Sequence, residues 1–168
     1  MNNLSPIEIL LPELRAYAAS ICSSDDIAED LVQDAIERAL RSVNRPALIS
    51  ELRPWMLRII RNLLYDELRK RRVRREYFAA EKRLSEAGTD KFDVPRDVLV
   101  RLAFEKLAPE TREVLFLVDI LGLKYAEAAM VMDVPTGTVM SRISRARKAL
   151  LALVDGAAKP VLKATRKL

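Results

Sequence analysis

Histidine is absent from this 168-residue chain, and cysteine occurs once, at Cys22. The first absence removes the commonest general base and an imidazole metal ligand. The second rules out an internal disulfide and leaves no CxxC pair for zinc or redox work. A single Cys beside Ile21 at a helix end reads as a small core residue. Glycine is held to four residues and aromatics to 5%, which points to helices rather than a sandwich or barrel. No Gly-rich phosphate loop and no Ser or Cys nucleophile motif occurs, and no apolar run approaches the ~20 residues that span a bilayer. The amino terminus, MNNLSPIEILLPEL, carries Glu8 and Glu13 without a basic n-region, unlike a secretory signal. These absences imply a cytoplasmic protein that is not an enzyme, holds no metal or cofactor and does not insert in a membrane.

What is present is charge, and it is segregated. Half the residues are apolar and 32% charged, with a net charge of +5, as in a soluble globular protein. Asp25, Asp26, Glu29, Asp30, Asp34 and Glu37 crowd one early segment, whereas residues 69–75 read RKRRVRR, cationic everywhere but at Val73. An acidic and a basic patch in one half suggest two different partners. The basic one attracts phosphates by a sequence-blind, salt-sensitive attraction.

Apolar spacing divides the chain into helices. A first helix is expected from Pro12, at the first helical position, to about Cys22, with Leu14, Tyr17, Ala18 and Ile21 inward. Ser23 to Asp26 offers several caps, with Asp26 and Glu29 making a box-like start. The second helix turns Ala28, Leu31, Val32, Ala35, Ile36, Ala39, Leu40 and Val43 to one side, and Asn44-Arg45-Pro46 ends it. A third runs from Pro54 to about Arg72, with a seam of Leu57, Ile60, Leu64 and Leu68, widened by Trp55, Ile59 and Leu63. The pattern then weakens, with Gly88-Thr89-Asp90 and Val94-Pro95 as breakers, as in a linker. Helices resume at Val98–Leu107 and Glu110–Leu121, the latter capped by Gly122. The expected architecture is all-α: a helical domain over 5–75, a flexible linker over 76–97, a second helical domain over 98–154 and a basic tail over 155–168.

Residues 124–150, KYAEAAMVMDVPTGTVMSRISRARKAL, are the most informative stretch. They read as a short apolar helix, a tight turn at Asp133-Val134-Pro135 and a second helix. Val139, Ile143, Ala146 and Leu150 recur at the spacing of one buried face. Ser141 and Lys148 fall opposite that face, Thr138, Ser144 and Arg145 lie beside them, and Arg142 and Arg147 sit on the flanks. This is the pattern of a helix-turn-helix whose second helix lies in a DNA groove.

DLVQDAIERAL (30–40), RPWMLRIIRNLLYDELRKRR (53–72) and LAPETREVLFLVDILGLKYAEAAMVMDVPTGTVMSRISRARKAL (107–150) together resemble a bacterial RNA polymerase sigma factor of the small extracytoplasmic-function (ECF) group, which keeps only regions two and four. LRAYA and RNLLYDELRKRR are similar to the alphaproteobacterial general-stress subgroup, while GTVMSR occurs in other subgroups too. The resemblance implies that Asp30, Leu31, Gln33 and Asp34 meet core RNA polymerase. It implies that Arg58, Arg61, Asn62, Asp66, Arg69, Lys70, Arg71 and Arg72 meet the −10 promoter element and its single strand, with Asn62 and Asp66 one turn apart to read a base edge. It further implies that Thr138, Met140, Ser141, Arg142, Ser144, Arg145 and Lys148 meet the −35 element as duplex. Met140 stands where many relatives carry Lys or Arg, so roughly one unit of salt slope is lost there. A partner anti-sigma factor and a monomeric free state are also implied. Two other readings remain: a sigma-like interaction protein that sequesters an anti-sigma factor, and a two-domain helix-turn-helix repressor.

Overall fold

The structure, a computed structural model, describes residues 5–77 and 96–158. Every regular element among them is helical: α1 (Pro6–Ile21), α2 (Asp25–Arg41), α3 (Ile49–Tyr77), α4 (Arg96–Glu105), α5 (Pro109–Leu115, continued by a π-helical turn Phe116–Ile120), α6 (Tyr125–Met132) and α7 (Thr136–Ala158). No helix among the described residues is long and apolar enough to cross a membrane. The breakers at 88–90 and 94–95 lie outside the described residues, as does the tail from 159 onward; residues 155–158 are the last turn of α7.

Local chemistry explains most boundaries. α1 begins six residues before the expected Pro12, because Ser5-Pro6-Ile7-Glu8 is itself a complete start. The Ser5 hydroxyl accepts from the Glu8 amide at 3.3 Å, the Glu8 carboxylate accepts from the Ser5 amide, and Pro6 takes the first position. Pro12 therefore lies inside the helix. α2 is capped by Ser24, which accepts from the Ile27 amide at 3.3 Å, rather than by Asp26. α3 starts at Ile49, with Leu48 receiving the first amides, so Pro54 is also internal, and it continues to Tyr77. α5 closes through the αL residue Gly122 (φ 68°), as its sequence position predicts. The α6–α7 turn places Asp133 in the same left-handed region (φ 54°).

In the first half, α1, α2 and α3 pack around Leu10, Leu14, Tyr17, Val32, Ala35, Met56, Leu57 and Ile60. In the second, α7 carries α4, α5 and α6 on one side through Val114, Leu117, Val131, Met132, Val139 and Ile143. Leu40, Val43 and Leu68, expected inward, are 63%, 96% and 47% exposed. Leu40 is rotated one position off the Ala35–Ala39 stripe, Val43 follows the end of α2, and Leu68 lies where α3 emerges into the exposed basic run.

The two halves are not separate bodies. α3 packs along α6, and α1 touches α5 and its π-helical turn, so that one apolar cluster runs through both. The apolar spacing of the sequence suggests only a tether between two domains.

Candidate nucleic-acid interface

The second helix of the helix-turn-helix is anchored as its spacing requires. Val139, Ile143 and Ala146 are buried, and Leu150 packs partly against the core. The opposite face is open: Met140 is 53% exposed, and Ser141, Ser144, Arg145 and Lys148 are exposed as well. Met140 therefore stands on the open face. Thr138 and Arg142 are half-buried at the margins. The polar groups on this face spend their local bonds on their own helix. The Ser141 hydroxyl donates to the Thr138 carbonyl at 3.0 Å, and Arg145 Nε donates to the Ser141 carbonyl at 3.3 Å. Arg147 serves the fold instead. It forms a two-pronged pair with Asp119 at 3.0 and 2.6 Å, which raises its pKa further above the ordinary guanidinium value.

On α3, Asn62, Asp66, Arg69, Lys70, Arg71 and Arg72 are all exposed. Arg71 is held by Glu67 at 3.1 Å and Asp66 lies 3.7 Å from Arg69, pairs one helical turn apart that are worth little in water. Trp55 packs partly against the core.

Arg58 and Arg61 are placed otherwise. Arg61 Nε donates to Glu113 Oε1 at 2.8 Å, and the Tyr17 hydroxyl donates to the same oxygen at 2.8 Å. Glu113 is 2% exposed and Tyr17 fully buried. Burial, and then the charge of Glu113, holds the Tyr17 phenol well above its ordinary pKa. Arg61 also lies over the Tyr65 ring at 4.3 Å. The Tyr65 pKa is raised by its burial and then by Glu113, with Arg61 opposing. Arg58 Nη2 donates to Asp133 Oδ1 at 3.1 Å. Arg53 pairs with Glu13 at 2.6 Å and donates to the Leu121 carbonyl that ends the π-helical turn. Tyr17 packs obliquely on Phe116, centroids 6.3 Å apart. The sequence places Tyr17 in the core of the first helix and Asp133 in the turn, but it gives none of Tyr17, Arg53, Glu113 and Asp133 a part in a polar junction. The one available sign is Glu113, a carboxylate on the side of α5 that also carries Phe116 and Leu117.

On α2, Asp30, Gln33 and Asp34 are exposed, but Leu31 is not: at 6% exposure it belongs to the core with Val32. Its side chain lies with the core that α2 forms with α1 and α3, beneath the polar face. Glu29 of the acidic cluster is held by Arg15 of α1 at 3.0 and 2.8 Å, and Glu37 by Arg41 at 3.3 Å. No cluster of potential metal ligands occurs among the described residues.

Two family models match the chain: Sigma-70 region 2 over residues 7–74 and Sigma-70, region 4 over 97–150. The chain is 39% identical to the ECF RNA polymerase sigma factor EcfG of Rhodopseudomonas palustris, over 88% of this chain and 83% of the relative. It is 35% identical to the ECF RNA polymerase sigma factor SigC of Mycobacterium tuberculosis, over 82% and 73%. Among solved structures it is similar to the sigma factor RpoE of Bartonella quintana, crystallised with the anti-sigma factor NepR. That match has a TM-score of 0.69 and 32% identity and covers 88% of this chain and 92% of the other. A buried helix-turn-helix seam with an exposed polar face, a bundle ending in a cationic helix, and these matches agree: the chain belongs to the ECF group of RNA polymerase sigma factors.

Proposed function

We propose that this chain joins core RNA polymerase through the outer face of α2 and directs it to promoters by two DNA contacts. Asp30, Gln33 and Asp34, with Leu31 beneath them, form the docking face. The basic end of α3, with Arg58, Arg61, Asn62, Asp66, Arg69, Lys70, Arg71 and Arg72, takes the −10 element as a single strand, where cations and base pockets offset the loss of pairing. Thr138, Met140, Ser141, Arg142, Ser144, Arg145 and Lys148 read the −35 duplex. No bond is made or broken by the chain itself, and the work belongs to the cytoplasm. Residues 5–75 and 98–154 act as two linked readers, so that binding at one element raises the effective concentration at the other. An anti-sigma protein, like the partner of the Bartonella relative, is the expected antagonist.

The observation that carries this reading is the exposed hydroxyl-and-cation face of α7 over a fully buried Val139–Ile143–Ala146 seam. Run-off transcription with purified core polymerase on a promoter library tests it. The chain should confirm its role by stimulating a subset of promoters; stimulation of none overturns it. Arg145→Ala should weaken promoter selection while sparing polymerase assembly, and Gln33→Ala should do the reverse.

A further inference from the structure

The open strip at the start of α7 is built from short side chains with one exception. Thr136, Gly137, Ser141 and Ser144 are all exposed, and a Cβ placed on Gly137 would meet no atom of the chain within 4 Å. Met140, the fifth residue of the helix, stands among them at 53% exposure. Gly137 precedes it by three positions and Ser144 follows it by four, so both flank it on the same side of the helix. A long apolar side chain therefore projects beyond short neighbours. The polar groups beside it turn back on the helix: the Ser141 hydroxyl donates to the Thr138 carbonyl and Arg145 Nε to the Ser141 carbonyl.

We propose that Met140 reads a thymine methyl in the −35 element and so sets the preference for one A·T pair. This rests on the reading of α7 as the −35 reader. Residues that open a recognition helix meet base edges in the major groove. There guanine offers two acceptors, adenine an acceptor and a donor, and cytosine a donor. A thioether has no hydrogen to donate and accepts weakly, so it answers none of the three, and covering a polar edge without a bond opposes binding. Thymine adds an apolar group, the C5 methyl. The unbranched, polarizable Met side chain adapts its rotamers to such a target, and Gly137 and Ser144 leave room for the helix to approach it. Because Met140 is exposed, its replacement leaves the Val139–Ile143–Ala146 seam untouched.

The test uses the full chain assembled with core polymerase and promoter duplexes randomised across the −35 region. Sequences retained by the natural chain are compared with those retained by Met140→Ala, Met140→Arg and Arg145→Ala. The natural chain should retain thymine at one position, on one strand or the other. Met140→Ala should lose that preference alone, and Met140→Arg should move it to guanine by about fivefold or more. Uracil then replaces that thymine in the best duplex, which removes the methyl and keeps every hydrogen-bonding group. Binding by the natural chain should fall about fourfold, the worth of one buried methyl, and binding by Met140→Ala should not change. Unchanged preferences in both Met140 variants, with Arg145→Ala altering promoter selection, overturn the thymine contact and leave α7 as the −35 reader. A salt slope steeper by about 0.9 in Met140→Arg, without a move to guanine, sets residue 140 over a phosphate and overturns it too. Unchanged preferences in all three variants overturn the −35 reading of α7, and the thymine contact with it.

Discussion

At the residue scale the junction depends on one carboxylate. Glu113 occupies an inward position of α5, and an isolated charge buried there is prohibitively costly. Arg61 and Tyr17 relieve that cost by both donating to one of its oxygens. Glu113→Ala leaves a guanidinium and a phenol without their acceptor and removes roughly 3–5 kcal/mol from closure. Calorimetry should then resolve two unfolding transitions in place of one coupled transition. Replacing the whole group by Tyr17→Phe, Arg61→Met and Glu113→Met should instead leave the coupled transition near its original temperature, since an apolar substitute of similar volume does not bury an unpaired charge.

Tyr17 adds an alkaline signature. Its pKa is raised in the folded chain, first by burial and then by Glu113. An unfolded tyrosine titrates near ~10. The folded chain therefore keeps a proton that the unfolded chain gives up as pH rises through that value. The stabilisation is complete below the unfolded pKa and is lost as pH climbs toward the folded one. Urea midpoints measured from about pH 8 to about pH 11 should fall more steeply for the natural chain than for Tyr17→Phe.

At the scale of elements, chain ends depend on caps that a proline can obscure. Both Pro12 and Pro54 suit a first helical position, yet each helix begins earlier, at Ser5-Pro6 and at Leu48-Ile49. For α1 the reciprocal Ser5–Glu8 bonds decide the matter, and they also lower the Glu8 pKa, chiefly through the Ser5 backbone amide. Ser5→Ala should cost ~1 kcal/mol, read as a lower urea midpoint and as earlier amide exchange in the first turn of α1. Long stripes were legible: Val139, Ile143 and Ala146 are buried, and the polar side of α7 is open. Stripe edges were not, because Leu40 and Leu68 continue an apolar pattern past the point where neighbouring helices cover it. The junction was least legible of all. Tyr17 and Glu113 lie 96 positions apart, and no periodicity within either helix specifies that they meet. Only the intrusion of a carboxylate among Phe116 and Leu117 signals that something polar must be waiting.

At the scale of the molecule, the surfaces assigned to the two kinds of partner lie on different helices. α2 packs on α1 and α3, and it is α1 and α3 that carry the contacts to the second half. Asp30, Gln33 and Asp34 face outward from α2, so the docking proposed there does not require Arg58 or Arg61 to leave its carboxylate. Closure in the free chain and activity in the assembled enzyme are then separable. Gln33→Ala with Asp34→Ala should lower capture of core polymerase yet leave single-stranded DNA binding by the free chain unchanged. Glu113→Gln should raise that DNA binding yet leave polymerase capture unchanged. If docking and promoter contacts hold the halves apart in the assembled enzyme, as the proposed function requires, the advantage of Glu113→Gln should vanish there. At saturating amounts of the chain its run-off transcript yield should match that of the natural sequence. A gain that persists at saturation would place the restraint within the polymerase complex rather than in the free polypeptide.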